Sequence, residues 1–163
     1  MSSFQVLDFP ADRIDGDAVA ALFFEDERPL LGPAALLDWR LNGLLTDLLL
    51  KGKARGRAGE HVLVLNNGKL AADWVLFIGG GSRKGLGRET VEGLFRHFLY
   101  TCRDAGLNRI TFCLDSLAGM EKSDLGEMMT AALKAMEGRR PDCRLTFFAQ
   151  NAEFRRCSRQ VPK

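Results

Sequence analysis

The chain lacks every short motif with which a hydrolase of ordinary kind would announce itself. It has no H-E-x-x-H and no C-x-x-C, the acids Asp104, Asp115, Glu121, Asp124 and Glu127 form no D-x-D, and its histidines number only two, His61 and His97. A zinc peptidase and a structural zinc site need ligand spacings that are absent here, and a catalytic cysteine would have to find its partner in one of these two histidines. The four cysteines, Cys102, Cys113, Cys143 and Cys157, have no metal-ligand spacing. Cys102 and Cys113 sit inside apolar patterns and read as small core residues, free thiols in a reducing compartment. No apolar run approaches the ~20 residues of a membrane span. The opening, Met1–Asp17, carries acids early and has no apolar signal core. A net charge of +2 is too small to require a nucleic acid or a membrane as partner. We expect a cytoplasmic protein with no cofactor, no metal and no membrane contact.

What is present is enough for a real core: 163 residues, 46% of them hydrophobic and 27% charged. We expect one domain over 1–163, with its core at about 5–150 and a peripheral tail at 151–163. Strand patterns fall at Gln5–Phe9, Val19–Phe24, His61–Leu65, Trp74–Ile78, Arg109–Leu114 and Arg144–Ala149. Between them run amphipathic segments. Leu37, Leu41, Leu44, Leu45 and Leu48 share one helical face and predict a single helix from about Ala34 to Leu50. Gly43 inside that helix suggests close packing against a neighbour. Val91 to Cys102 predicts a second helix, which Gly106 stops, and Leu125 to Met136 a third, capped by Ser123. Met128, Met129 and Met136 on its face read as core. Strands alternating with helices predict a three-layer α/β/α fold on a mixed, mostly parallel sheet of about six strands. The first two strands are candidates for an antiparallel pair.

Two loops carry the candidate chemistry. Gly79, Gly80, Gly81, Ser82, Arg83, Lys84, Gly85 and Gly87 lie between a buried strand and a helix start. There, backbone N–H groups and a helix dipole are able to hold a phosphate. The glycines fit neither a Walker pattern nor G-x-G-x-x-G, so a plain strand-to-helix turn is the competing reading. Lys51, Lys53, Arg55 and Arg57 put cations on alternate residues of a second loop, a surface for nucleic-acid phosphates or simply a solvated loop. Arg155, Arg156, Arg159 and Lys163 form another basic cluster in the tail. We assign no catalytic residue, and no role to either histidine.

One segment is more specific. Arg28–Gly43, which ends in Leu37-Asp38-Trp39-Arg40-Leu41-Asn42-Gly43, resembles the opening of the leucyl aminopeptidase N-terminal domain (peptidase family M17). Gly56-Arg57-Ala58-Gly59-Glu60 resembles the basic loop that follows there, and Trp74–Gly81 the strand that ends in a glycine turn. The resemblance runs from about Asp17 to Gln150. It implies a fold similar to macro domains. In that family the two metal ions and the catalytic lysine and arginine belong to a C-terminal domain with a signature like N-T-D-A-E-G-R, and nothing here matches it. The resemblance therefore implies a non-catalytic binding or assembly module, partnered by itself or by a separate aminopeptidase catalytic chain. The alternatives are a macro-domain-like binder of a nucleotide or ADP-ribose phosphate through Gly79–Gly87, and a nucleic-acid binder through residues 51–57.

Overall fold

A computed structural model describes residues 3–6, 10–117, 120, 122–139 and 143–150. Six strands, β1 (Ser3–Val6), β2 (Gly16–Phe23), β3 (His61–Leu65), β4 (Ala72–Gly79), β5 (Arg109–Cys113) and β6 (Arg144–Ala149), form one sheet in the order β1-β6-β5-β2-β4-β3. Four helices cover it: α1 (Gly32–Arg40), α2 (Leu44–Leu50), α3 (Arg88–Asp104) and α4 (Lys122–Arg139). The sheet is mixed and mostly parallel, as expected. Only β3–β4 is antiparallel.

The first two strands are not neighbours. β1 joins the far edge beside β6, and β2 takes the centre between β4 and β5. The antiparallel pair falls instead where the Asn66-Asn67-Gly68-Lys69 turn joins β3 to β4. A connection that short reverses the chain, whereas a crossover needs a dozen residues or more.

β2 shows why the centre is apolar on both faces. Ala18, Ala20 and Leu22 point into a core shared with α3 and α4, and Val19, Ala21 and Phe23 into one shared with α1 and α2. That is the period-two alternation of a strand covered on both sides. The α3–α4 core is aromatic. Phe95 lies 4.9 Å from Phe112 and 5.6 Å from Phe147, ring centre to ring centre. Val91, Leu94, Phe95, Phe98 and Cys102 are buried on α3, the face that their spacing predicts. Gly106, at φ 71°, ends that helix. Met128 and Met129 are core, while the side chain of Met136 lies outside the described residues. α4 starts one residue before Ser123, its expected cap.

The predicted helix 34–50 is two helices. Asn42 (φ 59°) and Gly43 (φ 75°) break it with two successive left-handed residues. Such a conformation strains any side chain and suits Asn and Gly best. A Cβ on Gly43 would meet nothing within 4 Å, so the glycine serves this backbone conformation and not close packing. Asp38 then restarts the chain. Its Oδ1 accepts from Leu45 N–H (2.7 Å) and Thr46 N–H (3.3 Å), and its Oδ2 from the Thr46 hydroxyl (2.6 Å). A buried carboxylate thus caps α2, where four backbone donors would otherwise lack partners. Trp39, next to it, is exposed.

Candidate functional site

Because β2, β4, β5 and β6 run parallel, Phe23, Gly79, Cys113 and Ala149 end on one edge of the sheet. That is the edge where open α/β sheets hold ligands. The turn after β2, the loop before β3, the glycine loop and the turn after β5 all meet there.

The two loops singled out in the sequence are in contact. Gly81 N–H donates to Gly56 O (2.8 Å), and Gly79 N–H to Glu60 O (2.7 Å). A Cβ on Gly79 would stand 2.1 Å from Arg57 O, and one on Gly80 would stand 2.4 Å from the Phe24 ring. No other residue fits at either position without moving the backbone of the basic loop or a buried ring. These glycines are therefore set by loop-on-loop packing.

Most backbone donors of the glycine loop are engaged within the chain. Gly80 N–H donates to Phe23 O (2.8 Å). Beyond it stands Asp26, from the charged turn after β2. Its carboxylate accepts from Arg83 N–H (2.8 Å), the Ser82 hydroxyl (2.9 Å) and Lys84 N–H (3.3 Å). The bond from the Arg83 N–H holds this carboxyl below its ordinary range, with Ser82 assisting. Gly85 and Leu86 N–H close a short 3-10 turn onto Ser82 O and Arg83 O. An anion already sits where a phosphate was expected, and it belongs to the chain. Arg83 is committed as well: it pairs with Glu27 (3.3 Å), donates to Ser116 O (3.3 Å) and stacks on Phe24 (5.0 Å).

Lys51, Lys53, Arg55 and Arg57 are all exposed; of the residues between them Ala54 and Gly56 are buried and Gly52 is exposed. Lys51 pairs with Asp47 (2.7 Å). Glu60 Oε1 gathers Arg55 N–H (2.7 Å) and Gly56 N–H (3.4 Å) and so fixes the loop. At the end of β5, burial pushes the Cys113 thiol up, the reverse of what a nucleophile needs. Asp115 accepts Gln150 N–H (2.7 Å), and the Ser116 hydroxyl accepts Leu22 N–H (3.2 Å). Among the described residues, no three His, Cys, Asp or Glu side chains converge on one point. The basic tail cluster of Arg155, Arg156, Arg159 and Lys163 lies outside the described residues, as does Cys157.

Two features escaped the sequence. One is Asp26, which the sequence reading gives no role. The other is the histidine pair: β3 and α3 bring His61 and His97 to 5.5 Å between ring centres. Burial and then the nearby His61 lower the His97 pKa, and its Nε2 is buried without a partner. Nothing in their spacing of 36 positions hints at this, because only the sheet order places β3 beside α3.

Comparison with known proteins bears on this arrangement. Residues 21–139 match the N-terminal domain of the cytosol aminopeptidase family. A probable cytosol aminopeptidase of Sulfurihydrogenibium sp. is 28% identical over 99 residues, covering 61% of this chain and 20% of that protein. One of Cyanothece sp. is 30% identical over 77 residues, 47% of this chain and 16% of that protein. The chain therefore spans about a fifth of the length of such relatives. Among solved structures, a Trypanosoma brucei macrodomain superposes with a TM-score of 0.77 at 17% identity, over 96% of this chain and 65% of that one. A tomato leucine aminopeptidase variant gives 0.68 at 17% identity, over 98% and 35%. The fold is that of macrodomains. The T. brucei protein has also been solved with ADP and with ADP-ribose.

Proposed function

This chain belongs to the cytosol aminopeptidase family through its N-terminal domain, and from that premise we propose that it is a non-catalytic binding and assembly module. One observation carries the proposal. The carboxylates that the fold gathers near the carboxyl ends of the strands, Asp26, Glu60 and Asp115, each accept backbone N–H groups and tie one segment to another. Two-metal hydrolysis needs several carboxylates converging on ions about 3.5–4 Å apart. These instead stand on separate turns, each bonded to backbone N–H groups, and among the described residues no three such side chains converge on one point. What the residues do is hold a rigid rim of loops above the sheet, suited to presenting a surface.

The partner chemistry follows from the family: a second copy, or an aminopeptidase catalytic chain, in the cytoplasm. Size-exclusion chromatography with light scattering, of the chain alone and mixed with a cytosol aminopeptidase, tests this. Self-association or a mixed complex is expected. A monomer that joins neither refutes the proposal.

A second reading has a specific observation behind it, the ADP and ADP-ribose held by a protein of the same fold. A phosphate at Gly79–Gly87 would need the Arg83 and Lys84 N–H groups, which Asp26 occupies. Binding would thus require this turn to withdraw. Calorimetric titration with ADP-ribose separates the cases: heat from the parent supports the phosphate site, and its absence from both the parent and Asp26→Ala excludes it.

A further inference from the structure

We infer that the open edge of β3 is a self-pairing interface, through which two copies join antiparallel about Leu63 into one continuous sheet. The inference rests on the assembly reading above and names its partner, a second copy of this chain.

Backbone parity comes first. Glu60 O accepts from Gly79 N–H, and Asn66 N–H donates to Asp73 O, in the register that pairs His61 with Ile78 and Leu65 with Trp74. Even-numbered residues therefore bond to β4. His61, Leu63 and Leu65 turn their N–H and C=O groups outward, and among the described residues no strand lies beyond them. Edge strands are usually guarded by lysine, proline or a bulge. His61-Val62-Leu63-Val64-Leu65 has none of these.

The strand is also complementary to itself. A two-fold axis at Leu63 sets Leu63 opposite Leu63 of the second copy, Val62 opposite Val64 and His61 opposite Leu65. Every outward group then finds a partner, giving about six interchain hydrogen bonds. Just beyond, Glu60 meets Asn66, so no like charges oppose one another. An axis at His61 or Leu65 would leave part of the edge unpaired.

One strand pair alone falls short of the roughly 1,000 Å² that a lasting interface buries. The surroundings supply more. Four of the six exposed large hydrophobics among the described residues, Trp39, Leu44, Leu50 and Leu65, belong to α1, α2 and β3. Leu65 is 60% exposed and Trp39 69%. The turn after β3 is tied to the α1–α2 junction, Asn67 Nδ2 donating to Arg40 O (2.9 Å) and Lys69 Nζ to Asn42 Oδ1 (2.7 Å). The α1–α2 junction, which Trp39 and Leu44 bracket in the chain, is thus tied to the turn that ends β3. Both faces there are incompletely covered: Val62 and Val64 are half-buried on the α1–α2 side, and Leu63 and Trp74 on the α3 side. A second copy continues both layers.

The test is this whole chain at rising concentration under light scattering, with two edge variants and a pair of cysteine variants. Leu63→Pro removes an outward N–H together with the half-buried Leu63 side chain, and spares the bonds to β4. Leu65→Lys puts a charge on an already exposed position, and serves if the proline variant does not fold. Each is expected to weaken the dimer by about tenfold or more. In a Cys157→Ser background, Val62→Cys and Val64→Cys chains should form a disulfide when mixed and not when alone, because the pair 62–64 lies opposite at a Cα separation of about 4.5 Å. A dimer indifferent to these changes, or cross-linking by either variant alone, overturns the edge and leaves self-assembly standing. A monomer at every concentration also overturns it, and assembly then survives only through a complex with an aminopeptidase.

Discussion

Replacing Asp38 by alanine should be among the most damaging single changes outside the central sheet. The side chain is buried, and three donors converge on it at 2.6–3.3 Å. Two of these are N–H groups in the first turn of α2, a helix of seven residues that cannot stand by itself. Losing a helix cap costs about 0.5–2 kcal/mol. Leaving the buried Leu45 N–H without an acceptor adds about 1–3 kcal/mol. We expect a total of about 3 kcal/mol for Asp38→Ala, which for a chain of this length lowers Tm by about 6–12 °C. Asp38→Asn keeps an acceptor toward Leu45 and Thr46 N–H, and should cost about 1 kcal/mol. Thr46→Val, which removes only the hydroxyl, should cost a similar amount. Urea denaturation followed by circular dichroism measures all three. If Asp38→Ala unfolds within about 0.5 kcal/mol of the parent, the carboxylate is not what holds α2.

Other consequences are testable in the same way. Gly79→Ala forces a Cβ against Arg57 O and should destabilise by about 2 kcal/mol or more. Gly93→Ala, in the interior of α3 with open space around it, should stabilise by about 0.5–1 kcal/mol; equal effects would contradict the packing described. Backbone N–H bonds, from Arg109 and Asn108 to Asp17 and from Arg83 to Asp26, hold both carboxyls below their ordinary 3.8 in the folded chain. The unfolded chain therefore takes up these protons first. Their contribution is complete above the unfolded value and fades as pH falls through the lower folded one. Urea midpoints should drop below about pH 4, and less steeply in Asp17→Asn and Asp26→Asn; identical pH profiles would refute this. Finally, DNA retention by four phosphate contacts from Lys51, Lys53, Arg55 and Arg57 would show a log–log salt slope of roughly −4. We expect no retention at physiological salt, and such a slope would restore the nucleic-acid reading.

The sequence revealed the layers and hid the joints. The face Val91 to Cys102 and the apolar runs of β2 and β4 were readable because periodicity reports burial directly. The α1–α2 break was missed for the same reason: Leu37, Leu41 and Leu45 stay in phase across it, so the apolar pattern masks two left-handed residues. Asn42-Gly43 was itself a turn signal, outweighed by periodicity. The Asp38 that carried the family resemblance proves to be a cap, and the tryptophan beside it is exposed. The glycine loop was correctly placed at a strand's carboxyl end, yet a loop's sequence cannot show that a carboxylate 56 positions away fills it. Neither could it show the meeting of His61 and His97, which depends on which strand takes the edge.

The most direct test is an activity measurement: purified chain, supplied with zinc or manganese, against a leucine anilide. No hydrolysis above the metal blank is expected, because Asp26, Glu60 and Asp115 at the strand ends are already bound to backbone. Turnover that follows the protein through every purification step, and is lost on chelation, would contradict a non-catalytic role.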